Sequence, residues 1–474
     1  MDAGAVRDVE HDRDVEDDQI IDDHIPFTGS IHTASSIRRQ VRTIGRMLDT
    51  GRIGTRVRRL IPPLLFDAPD FRRLWTGQTV SVLGDEVGRI GLPLVAVLAL
   101  GADAGQMGSL TAAGLLPHLL LSLAAGAWLD RVRRRRRVMI MADLGRAALI
   151  ASIPVAYVLG VLSVVQLFVV SFLAGCLTVV FDVAWNTVFV SVVKRDRFVE
   201  AMSLLNGSRS LAAVGGPTVG GLLVQVLGAP LAMLSDAISY LGSVLFLRRI
   251  ESMEPAVDHE AGGLRERVLA GLAFIFRDPI IRPILLSSAS INLFNFAFSA
   301  LFILYATTYL GVAPGVLGLA LGAGAVGGVL GAVVASGVGR RIGLGPAYAL
   351  GSIVFPVSLI LVPVAGGEMP MPLILALLFA SEFGAGIGVM ILDINVGAVM
   401  SARIPDRIRS RAIGSFRFVN YGVRPLGALL GGVLGTAFGV REALFIATVA
   451  SALGVLWLVG TRILRLRDLP EPAG

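Results

Sequence analysis

Residues 126–137 read Gly126-Ala-Trp-Leu-Asp130-Arg131-Val-Arg133-Arg134-Arg135-Arg136-Arg137, and an uncharged apolar run from about residue 106 stops there against one acid and six arginines. A run of this length is what a helix needs to cross roughly 30 Å of hydrocarbon, and arginines just past its end hold it at the water boundary. A helix leaves a bilayer at this point. Working outward, the chain of 474 residues is 54% hydrophobic and only 16% charged, with a mean hydropathy of +0.74. That exceeds what a soluble core would bury, so a soluble fold is excluded. The net charge of +7 does not imply a nucleic-acid partner, because the arginines sit in short loops between apolar runs.

Twelve apolar segments follow one another at 74–100, 106–129, 138–160, 164–192, 202–227, 230–248, 283–310, 316–338, 345–365, 371–400, 411–436 and 442–461. The loops alternate in charge. Loops 130–137, 194–197, 248–282, 340–341 and 403–411 hold 21 Lys or Arg, whereas the other set holds only Arg441. Positive residues stay on the cytoplasmic side, so both termini are expected in the cytoplasm of a cell-membrane protein. The division is a cytoplasmic N-terminal tail (1–70), six helices (71–248), a cytoplasmic linker (249–282), six helices (283–465) and a short tail (466–474). Residues 1–24 carry ten acids against two arginines and read as a disordered tail. Residues 36–60 alternate arginines with apolar residues at helical spacing, which suits either a helix lying on anionic lipid or a plain juxtamembrane linker. Arg209 and Pro217 in span 5 return as Arg417 and Pro425 in span 11, and Asp196-Arg197 as Asp406-Arg407, which points to an internal duplication.

The order Gly126, Asp130, Arg131, Arg134, Arg135 resembles motif A of the major facilitator superfamily, the loop between helices 2 and 3, although Arg133 stands where the family has glycine. Span 5 reads Gly207, then Gly216-Pro217-Thr218-Val219-Gly220-Gly221, and resembles the family's motif C, found chiefly in exporters. Physically, such glycines let helices approach closely, and the proline removes a backbone donor and bends the span. Phe71-Arg72-Arg73-Leu74-Trp75, Gly84-Asp85 and Asp143-Leu144-Gly145-Arg146 are further similar to the branch with the enterobactin and macrolide exporters. The resemblance covers about residues 70–465. It implies an all-α membrane fold of two pseudo-symmetric six-helix halves, a gating role for motif A, and a central cavity lined by spans 1, 4, 7 and 10.

Charges within spans cost roughly 2.5–3.5 kcal/mol each and therefore need a reason. Asp85 and Arg89 of span 1 are one turn apart, compatible with an intrahelical ion pair or with lining a cavity. Asp182 and Asn186 share a face of span 4; Asn292, Asn295 and Tyr305 lie in span 7; Glu382 and Asp393 lie in span 10. The family resemblance implies that these groups face the cavity as substrate contacts, with Arg209, Arg417 and Arg424 as countercharges. Glu382, at mid-membrane with only glycines and apolar residues near it on its own helix, is the first candidate for carrying a proton, and Asp85 the second.

Other signals dissolve. Gly322-Ala-Gly324-Ala-Val-Gly327 matches a dinucleotide fingerprint, but it sits in an apolar helix with no strand before it and is read as helix packing. The one lysine, Lys194, follows valine, so no phosphate-binding Walker loop is present. Five scattered histidines and a lone Cys176 suggest no metal site and no disulfide framework. The expectation is a non-enzymatic secondary transporter without cofactor, acting as a monomer, most simply exporting an amphipathic small molecule against protons. Solute uptake by the same fold and a non-transporting scaffold or sensor are its rivals.

Overall fold

The computed structural model describes residues 62–129, 132, 134–251 and 264–470, in which there are helices and turns and no strand. The tail and the 36–60 segment lie outside them. Twelve long helices follow in order: α1 (Pro69–Leu94), α2 (Ala104–Leu129), α3 (Arg135–Val158), α4 (Val164–Val192), α5 (Phe198–Leu227), α6 (Ala229–Leu247), α7 (Ile281–Leu304), α8 (Pro314–Ile342), α9 (Leu344–Leu359), α10 (Met371–Arg403), α11 (Arg409–Phe438) and α12 (Val440–Leu453). Nine helical segments among the described residues are long and apolar enough to cross a membrane; α1, α2 and α11 are not in that set, and of these α1 carries Asp85, Glu86 and Arg89, and α11 Arg417 and Arg424. A linker helix, Leu264–Arg277, precedes α7 and packs on α11.

Helix ends follow local chemistry. Before α2, Asp103 accepts from the Gln106 amide (2.8 Å) while the Gln106 side chain accepts from the Asp103 amide (3.1 Å), a reciprocal cap. Ser163 caps α4 in the simpler way. Prolines open α1, α6, α8 and α10, where the missing N–H has no helical partner to lose.

All arginine-rich connections fall at one end of the bundle, the basic end. Ion pairs tie the chain together there: Arg197 to Asp67 (2.9 Å) and Glu200, Arg73 to Asp70 (2.8 Å) and Glu251, and Arg403 to Asp278 (2.8 Å), whose other oxygen accepts from the amides that open α7. Hydrogen bonding to Asp67, then to Glu200, pushes the Arg197 guanidinium up from its ordinary value. The far end is sparse; Arg441 donates to the Pro363 carbonyl (2.8 Å).

Within the first six helices α1 packs on α6 and α5, α2 on α4, and α3 on α4 and α6; within the last six α7 packs on α12 and α11, α8 on α10, and α9 on α10 and α12. Each pairing recurs six helices later. The turns recur too: π-helical turns at Val95–Ala99 and Tyr305–Tyr309 follow α1 and α7, and each leads to a glycine with positive φ, Gly101 (64°) and Gly311 (65°). The duplication read from Arg209/Arg417 and Pro217/Pro425 is thus a duplication of packing.

The two sets meet through α5 on α8 and α2 on α11. Near the far end these crossings are at backbone contact. A Cβ on Gly221 would lie 2.3 Å from the Pro314 carbonyl, one on Gly318 2.2 Å from that of Pro217, and one on Gly108 2.7 Å from that of Ala428. At the basic end the same four helices present Gly126, Gly207, Gly337 and Gly414, each with no atom among the described residues within 4 Å of where its Cβ would be. Among the described residues the bundle is therefore in backbone contact at the far end and apart at the basic end. Along α8 the small residues also meet α10: Cβ atoms on Gly327 and Gly331 would lie 2.1 Å and 2.7 Å from the carbonyls of Phe383 and Ile387. The dinucleotide-like glycines are helix packing, as expected.

Candidate functional site: a cavity between the two sets of helices

Beneath the closed end lies a cavity in two communicating parts of about 580 Å³ and 390 Å³, which share Arg89, Asn295, Ser299, Phe302 and Leu321. The larger part is bounded by α1, α2, α4, α7 and α8, and the smaller reaches α5, α9 and α10, where Glu382 enters the wall. Apolar side chains and glycines make most of the lining, and Arg89, Asn295 and Glu382 are its strong polar groups. Such a mix binds molecules with an apolar body and a few polar positions.

Of the residues expected here, Arg89, Asn295 and Glu382 arrive. Arg89 does not pair with Asp85. Its guanidinium reaches back to Glu86 (2.5 Å) and remains 59% exposed to the cavity, while Asp85 turns away and accepts the Tyr240 hydroxyl (2.5 Å) from α6. The reason is tertiary: α6 offers Asp85 a buried donor, and arginine is long enough to choose either acid. Countercharge is divided: Arg209 lies in the field of Asp182 and Arg424 in that of Asp393, whereas Glu382 meets a different arginine. Arg89, and not Arg209, Arg417 or Arg424, is the cation that acts on Glu382. Arg209 stacks over Trp185 (5.5 Å), and Arg424 lies over Tyr421 (4.1 Å) and Phe296 (5.0 Å) and donates to Asn292 (3.1 Å).

Asn292 is accordingly a strut. Its amide also meets Asn420 (3.2 Å), joining α7 to α11. Tyr305 is not a cavity residue: it is 2% exposed, in the π-helical turn after α7, and its hydroxyl donates to the Ala365 carbonyl (2.6 Å). Asp182 lines a separate hollow of about 310 Å³ at the α2, α4 and α11 faces, beside His118, Arg417 and Tyr421. Asn186 donates to the Asp182 main chain (2.9 Å), and Asp393 is exposed on α10 within the field of Arg424.

The two motifs resolve unequally. In motif C, a Cβ on Gly216 would strike Glu86 (2.4 Å) and one on Gly220 would meet Val87 (3.1 Å) of α1, whereas Gly221 and Pro217 face α8. One helix thus presses the cavity-bearing turn of α1 with one face and closes the far end with the other. Gly207 packs on nothing described, which corrects its reading as a packing residue, and it belongs to the open end. In motif A, Asp130 and Arg131 lie outside the described residues. Arg134 is exposed, and Arg135, 4% exposed, donates to the Leu129 carbonyl (3.3 Å) across the turn from α2 to α3. Gly126 packs on nothing described.

The sequence reading missed three things. His118, set aside with the scattered histidines, sits in the hollow with Asp182. Asp236 of α6 escaped notice altogether, and Asp143 and Arg146 of α3 were noted only as a family likeness. These three meet Asp85 and Tyr240 inside the first six helices. Arg146 is paired with Asp143, donates to Thr178 (3.4 Å) and is sandwiched between the rings of Tyr240 (4.3 Å) and Phe181 (4.6 Å). No group of three or more His, Cys, Asp or Glu suited to a metal ion occurs among the described residues.

The sequence model of a family described as transmembrane secretion effectors, MFS_3, matches residues 62–470, from before α1 to beyond α12. The chain belongs to this family. Among curated proteins the chain is 30% identical to the multidrug efflux pump Tap of Mycolicibacterium fortuitum over 368 residues, 75% of this chain and 87% of that protein. It is 25% identical to the staphyloferrin A transporter of Staphylococcus aureus over 285 residues, 59% of this chain and 70% of that protein. Among solved structures it resembles a bacterial homologue of the iron transporter ferroportin in an inward-facing state, with a TM-score of 0.64 at 17% identity, covering 82% of this chain and 98% of that one. At that identity the likeness is one of fold.

Proposed function

We propose that this protein is a secondary active exporter of amphipathic small molecules such as a drug, antibiotic or siderophore, embedded in the cell membrane with both termini cytoplasmic and working by proton antiport. The observation that carries the reading is the cavity between two sets of six helices, shut at the far end by backbone contact and open at the end that bears the arginines. With that basic end cytoplasmic, this is the conformation that receives cargo from the cell interior. The two sets (71–248 and 283–465), joined by the 249–282 linker, rock about the cavity; closing at Gly126, Gly207, Gly337 and Gly414 while parting at the far end would release cargo outside. Membership of the secretion effectors and similarity to a multidrug efflux pump favour export over uptake.

Glu382 is the proton carrier in this scheme. It lies in the cavity wall, where an ionised carboxylate is costly, and Arg89 is close enough to act on it. Antiport requires cargo and proton to exclude one another there: a cationic or hydrogen-bond-donating group of the cargo against the Glu382 carboxyl favours the carboxylate and so couples loading from the cell interior to release of the proton. In proteoliposomes with an imposed pH gradient and ethidium as probe, Glu382→Gln is expected to abolish gradient-driven accumulation and to leave ethidium binding measurable. Accumulation at the wild-type rate would remove Glu382 from the mechanism. For orientation, a reporter active only in the cytoplasm should work after Gly474 and fail within 311–315.

A further inference from the structure

The group of side chains between α1, α3 and α6 is not part of the cavity, and its charges do not cancel. Asp85, Asp143 and Asp236 surround one guanidinium, Arg146; the next acids outward have cations of their own, Glu86 of α1 in Arg89 and Asp182 of α4 in the field of Arg209. Asp143 is neutralised by direct contact with Arg146, and Asp85 has the Tyr240 hydroxyl. Asp236 has neither. It is 2% exposed; among the described residues no cation lies within ion-pair distance of it, Arg146 acting only from further off, and its Oδ1 has no hydrogen-bond partner. A carboxylate in that position would be an uncompensated buried charge, whereas a carboxylic acid would be an ordinary buried polar group.

The place of this carboxyl also gives it a way out. It lies against α1 where Gly84 and Gly88 leave room on either side of Asp85: a Cβ on Gly84 would lie 3.0 Å from Asp236 Oδ1, and one on Gly88 2.2 Å from Oδ2. Gly88 is itself part of the cavity wall, next to Arg89. The Asp236 carboxyl is therefore separated from cavity water by a residue without a side chain.

We propose that Asp236 is a proton-binding site of the first six helices, distinct from Glu382, loaded and unloaded past the backbone of Gly88, against which its carboxyl packs on one side and the cavity lies on the other. A proton from cavity water adds to the carboxylate oxygen and makes an O–H bond; the group becomes neutral, and the cluster with Asp85, Asp143 and Arg146 falls from three negative charges against one positive to two against one. Its use in transport rests on the proton-antiport reading; its existence does not.

Infrared spectroscopy of the purified protein in detergent at neutral pH reads the proton directly, through the carbonyl band of protonated carboxyl groups above the amide region. Wild-type protein is expected to show such a band, shifting in deuterium oxide. Asp236→Asn should lose one carboxyl's share of it while unfolding at nearly the wild-type temperature, since a neutral amide replaces a neutral acid. Asp236→Glu, should the asparagine variant not fold, should keep the band at a changed frequency. Glu382→Gln should leave the Asp236 contribution in place, so a failure of antiport through Glu382 is read separately from a failure here. An Asp236→Asn spectrum identical to wild type, an Asp236→Glu band that does not move, or a band removed entirely by Glu382→Gln would each overturn the proposal.

Discussion

The interior of the first six helices and that of the last six are packed alike and made of different chemistry. Between α1, α3 and α6 stand Asp85, Asp143, Arg146, Asp236 and Tyr240. Between α7, α9 and α12 the buried polar groups are hydroxyls: Tyr348, fully buried, donates to the Ile284 carbonyl (3.3 Å), Ser352 and Thr448 donate to carbonyls one turn back, and Ser287 and Ser451 complete the set. Duplication preserved the helix pairings because backbone contact at small residues depends on shape. It did not preserve charge, because an ionisable group in a low-dielectric interior persists only where function repays its desolvation. On the proposal above, protonation acts in the interior of the first six helices, whereas in the last six Glu382 lies at the cavity surface.

The largest effect is expected from Arg146→Leu, which leaves three acids without their cation; loss of one partner of a buried charged set costs about 3–5 kcal/mol. Thermal unfolding in detergent, followed by tryptophan fluorescence, should show this variant failing to fold or melting far below wild type. A loss no larger than that of a hydroxyl substitution in the other half would erase the contrast between the two interiors.

Next come the glycines of the two ends. Gly221→Leu and Gly108→Leu force a side chain into backbone contact and are expected to destabilise by about 1–3 kcal/mol, while raising the reactivity of a cysteine introduced near the far end. Gly207→Leu and Gly414→Leu meet open space and should leave the melting temperature near wild type yet lower transport, because the basic end must close over them. Equal melting for both pairs would contradict the assignment of closed and open ends.

Tyr348→Phe removes one neutral hydrogen bond from the hydroxyl interior and should cost about 1 kcal/mol by the same unfolding measurement. The smallest effect belongs to Arg209→Gln, which removes an exposed stack over Trp185, of the order of 0.5–1 kcal/mol. A larger loss there would mean that Arg209 holds more than the tryptophan ring.

Reading the fold from the chain succeeded because bilayer thickness fixes segment length: span 4 was expected at 164–192 and α4 runs Val164–Val192. The other helices begin or end within a few residues of their expected limits, mostly running further into water at the basic end, where hydropathy gives no edge. The candidate site was legible only in part. Glu382, Asn295 and Arg89 announced themselves as polar residues in apolar spans, and motif C as glycines at helical spacing. Partnership was not legible. Residues 85 and 89 share a face on any ideal helix, yet Tyr240, 155 residues away, decides where Asp85 turns. Tyr305 lies in the expected span, but a π-helical turn and the Ala365 carbonyl carry it into the core.

What the sequence by itself determined is therefore one-dimensional: segment lengths, the alternation of arginines between loops, the presence of costly charges within spans, and a repeat of period near 208. The first three follow from the exchange between water and hydrocarbon, which every residue undergoes independently of its distant neighbours, and the repeat is legible because a duplication copies residues along the chain. Only the tertiary structure decided which end is closed, which arginine acts on Glu382, and that Asp236 lies beside Asp85 without a partner. Those depend on distances between helices far apart in the chain: a hydrogen bond needs its partner at about 3 Å and a charge interaction scales with separation, so no pattern along one helix contains them.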